Sequence, residues 1–275
     1  MKKLISKNLS AGVGLAIMIL LVLAALFAPL VSPADPNQIT LPDKLLSPSF
    51  AHPFGTDDLG RDLLSRVIYG TRVSLISGAV VVIIAMTIGV TWGLVAGYWG
   101  GPIDGFLMRL SDVFLSFPRL VLAIAIAASL GPGLINGMIA VALSWWPWYA
   151  RLVRGQVLTL KQADFVTAAS SVGARHGRII RRHLFPNMIG LIAVQASLDL
   201  GYAILFTASL SFIGLGAQPP LAEWGSMIAA GRNYLLTHWW YPTFPGVAIF
   251  LAVLGSNLFG DALRDFLDPR LRNVP

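Results

Sequence analysis

The residue types used in most enzyme chemistry are present in this chain, but their spacing builds no recognisable reactive group. The four histidines are scattered, with no HExxH or comparable metal-binding pattern. No serine lies in a GxSxG elbow. A phosphate-binding P-loop needs a lysine directly after a glycine, and no lysine here follows one: Lys2, Lys3, Lys7, Lys44 and Lys161. We therefore predict a non-catalytic protein without a cofactor or metal.

A single acid, Asp199, interrupts the apolar run ASLDLGYAILF. An ionisable group at membrane depth is costly and is by default a functional candidate, for example on a substrate or proton pathway. The alternative is a carboxylate that faces the helix bundle and pairs with a neighbouring donor, as most buried intramembrane charges do. We favour the paired carboxylate and keep Asp199 as a candidate for the translocation pathway.

The segment 164–187, DFVTAASSVGARHGRIIRRHLFPN, holds four arginines in a chain with only 12% charged residues. On a helix its first half forms one apolar stripe, made of Phe165, Ala168, Ala169 and Val172. Gly173 interrupts that helix, and a second, basic helix is predicted from Arg175 to Leu184, with Pro186 in the first turn of the next. Such a loop can lie on anionic headgroups or insert into a groove of a partner. The residues alone leave both open.

The composition indicates whether these elements fold in water or in a membrane. Hydrophobic residues make up 56% of the chain and the mean hydropathy is +0.72, whereas soluble domains are about 25% charged. We therefore expect an all-α, polytopic integral membrane protein. A net charge of +7 could suit nucleic acid, but basic cytoplasmic loops explain it more simply, so no nucleic-acid partner is predicted. The absence of cysteine excludes disulfides.

Six membrane spans are predicted, at 11–31, 73–98, 106–130, 134–152, from near 186, and at 242–260. The first is too long for a signal peptide and is expected to be retained. An inside N-terminus puts fifteen of the twenty Lys and Arg residues on the inner side, Arg119 among them, so both termini are expected in the cytoplasm. The predicted division is 1–72, the first span and an outer loop, and 73–275, a five-span core whose cytoplasmic loop covers about 155–186.

Two outer segments are long. Residues 32–72 contain GTDDLGRDLLSR, which reads either as a solvated loop with a short interfacial helix or as a docking surface for a partner. Residues 217–241 contain AQPPLAEWG and then HWWY. Trp239, Trp240 and Tyr241 are expected to form an interfacial aromatic belt.

The basic loop resembles the EAA loop of the permease subunits of binding-protein-dependent ABC importers. That pattern has two alanines, a glycine and a proline at fixed spacing, matched here by Ala168, Ala169, Gly173 and Pro186. Thr167 stands where the pattern has an acid, and Phe185 where it has a leucine.

The resemblance extends along most of the chain. GTDDLGRDLLSRVIYGTRVSL (55–75), WYARLVRGQVL (148–158), SLSFIGLGAQPPLAEWG (209–225) and GDALRDFLDPRLR (260–272) are similar to the dipeptide, oligopeptide and nickel group, and to its shorter permease. The family implies a type I ABC importer fold in the bacterial inner membrane. It also implies three kinds of partner besides lipid: a second permease, two cytoplasmic ATPases that hydrolyse the ATP, and an extracytoplasmic binding protein.

The same resemblance assigns the loop to ATPase coupling. The expected coupling residues are Asp164, Phe165, Ala168, Ala169, Val172, Gly173, Arg175, Arg178 and Pro186. Short peptides are the first expectation for the cargo, and nickel or a metal chelate the second. A gradient-driven secondary transporter is the alternative class, and it would draw on Asp199.

Overall fold

The computed structural model describes residues 9–267, and there the chain is helical apart from its connecting loops. The predicted inner cations Lys2, Lys3, Lys7, Arg270 and Arg272 lie outside these residues. The helices are α1 Leu9–Leu26, α2 Ala28–Val31, α3 Leu63–Trp99, α4 Gly101–Leu115, α5 Arg119–Leu130, α6 Leu134–Lys161, α7 Asp164–Ser171, α8 His176–Ile179, α9 Phe185–Phe212, α10 Trp224–Gly231 and α11 Trp240–Leu267.

Four helical stretches are long and apolar enough to cross a membrane: α1, α3, α11 and the continuous stretch His176–Phe212. The pair α4 and α5 would add a fifth if it formed one broken span. The predicted fourth span corresponds to α6, which is as long as α11 but more polar, because it contains the run WWPWY and then Arg151. All six predicted spans thus have a helical counterpart.

The third predicted span, 106–130, is wrong as a single helix. The axes of α4 and α5 differ by 89°. Pro118 explains the break, since it lacks an N–H for the helix ladder and disfavours helical geometry at Phe117. Pro118 itself is extended, with φ −57° and ψ 127°.

Two other predicted boundaries also move. The helix of the second span begins at Leu63 rather than Val73, so it crosses the predicted division at residue 72. The predicted separate helix 175–184 is instead α8 followed by a π-helical turn, Ile180–Leu184, which continues into α9. The π turn relaxes the hydrogen-bond ladder of the helix just before Pro186, which has no N–H to donate.

The centre of the bundle is the contact between α3 and α6, and glycines make it close. Gly89 and Gly93 lie against the α6 backbone, where an added Cβ would clash with the carbonyl oxygens of Trp146 and Ala150 respectively. Small residues one turn apart let helices in a membrane approach to van der Waals contact of their backbones. This pair therefore fixes the position of α6, the helix that leads into the cytoplasmic loop.

Gly93→Val is expected to destabilise the chain by at least about 1–3 kcal/mol, because its Cβ would overlap backbone atoms that cannot move independently. The measurement is the yield and unfolding temperature of the detergent-purified protein. Gly155→Val is the matched control, since Gly155 lies in α6 with open space around it. Equal unfolding temperatures for the two variants would contradict this account of the interface.

Candidate functional site

The basic loop is a pair of short helices packed on the ends of two long ones. α7 ends at Ser171, and the chain then turns at Gly173, whose φ of +77° is a left-handed conformation that favours glycine. Val166, Ile179 and Leu184 are buried in one apolar cluster with Val153, Val157 and Met188. These contacts anchor the loop to α6 and α9, so it is not a free linker.

The predicted apolar stripe of α7 points away from that cluster. Phe165 is 43% exposed and Val172 is 85% exposed. Ala168 is exposed and Ala169 half-buried, while Arg175 and Arg178 extend the surface as exposed cations. Within the described residues the stripe is only partly covered, with the Phe165 ring 6.4 Å from that of His183, so most of it is available to another molecule. Asp164 begins α7, and Pro186 lies in the first turn of α9.

Hydrogen bonds hold the loop and the end of α6 against the neighbouring helix α3. The Lys161 ammonium donates to the Tyr98 carbonyl oxygen at 2.7 Å. The Tyr98 hydroxyl lies 2.7 Å from His176 Nδ1. His176 is one of the four scattered histidines, and the sequence gives no sign of this bond because 78 residues separate its partners.

The C-terminal half of α6 is similarly held to α4, by two ion pairs. Arg154 makes a two-pronged contact with Asp104, with both N···O distances 2.6 Å. Arg151 lies 2.7 Å from Asp112, in a pair that is more exposed. Bidentate guanidinium–carboxylate pairs fix orientation as well as distance. A displacement of the loop would therefore reach α4 as well as α3 and α9.

The motif GTDDLGRDLLSR in the outer segment 32–72 is not the solvated loop of the first alternative, because most of its charges are buried. The docking surface stays a prediction. Asp57 is fully buried and accepts from Arg61 Nε at 2.6 Å, with Arg66 Nε at 3.5 Å. Arg66 also donates to the Pro36 carbonyl oxygen at 2.8 Å. Asp62 caps α3 by accepting from the Ser65 amide at 2.8 Å. The predicted interfacial helix is the first part of α3.

The predicted aromatic belt is also mostly interior. Tyr241 is 1% exposed and its hydroxyl donates to Asp58 at 2.8 Å. Trp240 is 7% exposed, and only Trp239, at 53%, has the exposure that a belt needs. Tyr241 and Trp240 instead join α11 to the outer loop. Phe54 of the loop also stacks on Phe244 of α11, at a centroid distance of 3.9 Å.

The segment AQPPLAEWG ends in a buried helix cap. Glu223 is 1% exposed and accepts from the amides of Gly225 and Ser226, both at 2.9 Å, at the start of α10. Burial raises the pKa of the Glu223 carboxyl, and these amide donors oppose the rise. Trp224 is fully buried and donates to the Val67 carbonyl oxygen at 3.1 Å. The second outer segment is thus inserted against α3.

Asp199 lies inside the bundle, 4% exposed, on the face of α9 that meets α6. Its Oδ1 accepts from Gln195 at 3.1 Å, while Oδ2 has no hydrogen-bond partner among the described residues. The Tyr149 hydroxyl and the Trp145 indole N–H, which also lack a full hydrogen bond, interact with the same carboxyl. These contacts agree with the paired alternative.

Arg119 joins this group, although the sequence suggested a position near the cytoplasmic end. Its guanidinium carbon lies 4.9 Å from the ring centroid of Trp145 and 5.1 Å from that of Trp148. Asp199 is close enough to interact with it electrostatically. The break at Pro118 makes Arg119 the first residue of α5, beside Trp145 and Trp148 of α6. A single unbroken span would not have placed it there.

Together these features define a polytopic helical membrane protein with its charged clusters at the helix ends and in the loops. The fold matches a solved structure of the MetNI methionine ABC transporter in an inward-facing conformation, with a TM-score of 0.60 at 18% identity, over 75% of this chain and 98% of the other. It is the type I permease fold of ABC importers.

The sequence then identifies the family. Residues 89–273 match the model described as binding-protein-dependent transport system inner membrane component, and residues 4–48 match the N-terminal TM domain of oligopeptide transport permease C. The chain belongs to the family of inner-membrane permease components of binding-protein-dependent transport systems. This membership confirms the family resemblance and contradicts the gradient-driven alternative.

Curated relatives align over nearly the whole chain. The probable D,D-dipeptide transport system permease protein DdpC of Escherichia coli K12 is 51% identical over 92% of this chain and 85% of its own length. The dipeptide permease DppC of Alkalihalophilus pseudofirmus is 45% identical over 98% and 89%. The nickel permease NikC of Escherichia coli K12 is 45% identical over 97% and 96%.

Proposed function

We propose that this ABC importer permease carries short peptides. Support comes from the relatives named as D,D-dipeptide and dipeptide permeases, at 51% and 45% identity. Nickel, free or chelated, is the second candidate, because a relative named as a nickel permease is equally similar at 45%. Specificity in such systems is expected to rest largely with the binding protein.

We further propose that α7 couples the permease to an ATPase. The observation that carries this proposal is the exposed apolar stripe with Phe165 and Val172, on a loop that is anchored to the three helices α3, α6 and α9. An exposed helix face of this kind fits a groove on a soluble partner. Arg175 and Arg178, exposed beside it, are placed to meet acidic groups of that partner or lipid headgroups.

The proposed assembly contains a second homologous permease, two ATPases in the cytoplasm and a binding protein on the outer side. The ATPases hydrolyse the ATP. Both termini are placed in the cytoplasm, since that orientation gathers most basic residues on the inner side. The cluster around Asp57 then lies on the outer side, where the binding protein docks.

Val172→Glu tests the docking face. A buried, unpaired carboxylate in an interface typically costs several kcal/mol, so we expect the ATPases to be lost when the tagged permease pair is purified in mild detergent. Ser171→Glu is the matched control, because Ser171 is exposed on α7 outside the stripe. Equal ATPase recovery with both variants would contradict docking through this face.

The cargo is tested in vesicles that contain the complete importer. Uptake of labelled Ala-Ala that depends on ATP and the binding protein supports peptide import. Uptake of labelled Ni²⁺ without Ala-Ala uptake would replace the peptide proposal with the nickel one.

A further inference from the structure

We place Arg119 near the middle of the membrane, because the turn between α5 and α6 is expected at the outer membrane surface. α5 and α6 are joined by a tight turn, and Arg119 and Trp145 each lie about 11 residues from it, or roughly 17 Å along their helices. That is about half of the 30 Å hydrocarbon thickness. Asp199 is near the middle of α9. The break between α4 and α5 thus places a cation and an acid at a similar depth.

The environment of Arg119 leaves its charge without a direct counterion. Among residues 9–267 no carboxylate lies within ion-pair distance of it. Its contacts are the indole faces of Trp145 and Trp148. Trp145 is 3% exposed, but Trp148 is 40% exposed and Tyr202, beside Trp145, is 45% exposed. Arg119 is only partly covered, so this surface faces out of the chain.

Lipid is a poor neighbour for such a surface. A guanidinium at the bilayer centre costs at least about 2.5–3.5 kcal/mol, so Arg119 is expected to face protein or water. In transporters, broken helices and charged groups at the midplane mark substrate sites. Two features on different helices coincide here: the broken helix at Arg119 and the buried carboxyl of Asp199.

We propose that Arg119 binds the carboxylate of the cargo as it crosses the membrane, on a platform formed by Trp145 and Trp148. This proposal rests on the importer function proposed above and adds a chemical class of ligand, a molecule with a free carboxylate. Asp199 is a positioning residue, because its carboxyl faces the Trp145 N–H and its charge attracts Arg119.

An anion that binds Arg119 transiently fits this arrangement better than one that is bound permanently. The two indoles and the nearby Asp199 already stabilise the cation, so Arg119 can release an anion without being left unsupported. Transport requires a site that binds weakly enough for its ligand to leave. The alternative ligand is an acidic residue of the second permease. Arg119 would then form a permanent ion pair, a structural strut, between the two subunits.

The test uses the complete importer in vesicles, with Ala-Ala and its C-terminal amide, each at a concentration that saturates the binding protein. With Arg119→Gln we expect Ala-Ala uptake to fall roughly tenfold or more, as for a lost charge-assisted hydrogen bond. We expect uptake of the amide to stay within about twofold, and Arg119→Lys to be intermediate because lysine lacks the planar fork.

Assembly and ATPase activity separate this proposal from its rivals. Unchanged assembly and ATPase stimulation, with more ATP hydrolysed per Ala-Ala imported, supports the cargo site even if the wild type does not carry the amide. An unchanged ATP-to-peptide ratio, or equal losses of both peptides, would overturn it. Loss of the second permease on purification would establish the strut instead. A wild type that hydrolyses ATP but imports no Ala-Ala would overturn the peptide function itself.

The variant Asp199→Asn tests whether Asp199 positions Arg119. The amide keeps the shape of the side chain but removes the charge that attracts Arg119. We expect the preference for Ala-Ala over its amide to fall in the same direction as with Arg119→Gln, by a smaller factor. A full preference in Asp199→Asn would overturn the positioning role and leave the role of Arg119 standing.

Discussion

Replacing Gly173 with leucine is expected to abolish most ATP-driven uptake while the protein still inserts and assembles. Gly173 has a φ of +77°, a conformation that costs a residue with a Cβ roughly 1–2 kcal/mol. An energy of that size changes the population of the correct loop geometry by roughly 5- to 30-fold. Space is not the difficulty, since no atom lies within 4 Å of an added Cβ.

The measurement is uptake by vesicles that contain the complete importer, beside recovery of its subunits. Gly177→Leu is the matched control, because Gly177 also has open space but no left-handed φ. Gly173→Asn should keep more uptake than Gly173→Leu, since asparagine tolerates the left-handed region better. Wild-type uptake by Gly173→Leu would contradict the coupling role of this turn.

The reason for a large effect lies in how α7 is held. Buried Val166 and the bond between Tyr98 and His176 keep both sides of the turn against the long helices. Gly173 is the joint between those two anchored pieces. A change in the backbone angles of Gly173 would therefore reorient the exposed stripe relative to the membrane spans. A partner that binds the stripe would then find it in a different position.

The helical class and the coupling loop could be predicted from the sequence because their signals are local. Apolar runs of spanning length stand out in one dimension. The stripe of α7 follows from residues three and four positions apart. The break before α5 also had a local signal in Pro118, yet the hydrophobic run continued through it and hid the change of direction.

The sites that could not be predicted depend on contacts between distant segments. The position of Arg119 beside Trp145 and Trp148 depends on the 89° angle between α4 and α5; Pro118 signals a break but not its angle. Tyr241 looked like a membrane-interface residue until its partner Asp58, 183 positions away, was placed beside it. The acids near Asp57 looked solvated because charged loops usually are, whereas here they form a buried cluster with two arginines.

That cluster leads to the second large effect. Asp57→Asn is expected to destabilise the protein by about 3–5 kcal/mol, because it leaves buried guanidinium groups without their closest carboxylate. Asp57 is fully buried and also accepts from the amides of Leu59 and Arg61, both at 2.9 Å. An asparagine can keep some of these hydrogen bonds but not the charge.

The unfolding temperature of the purified chain measures this effect. At roughly 2–4 °C per kcal/mol for a protein of this size, the shift should be on the order of 10 °C. Asp35→Asn is the control, because Asp35 is an exposed acid in the same segment with only a local bond to the Asn37 amide.

A double substitution separates the charge from the space that it fills. Adding Arg61→Met to Asp57→Asn removes one of the buried cations as well, so the loss should be smaller than the sum of the two single losses. Strict additivity would show that the pair contributes nothing as a pair. The outer segment would then be held to α3 and α11 by its aromatic contacts, such as Phe54 on Phe244, rather than by its buried charges.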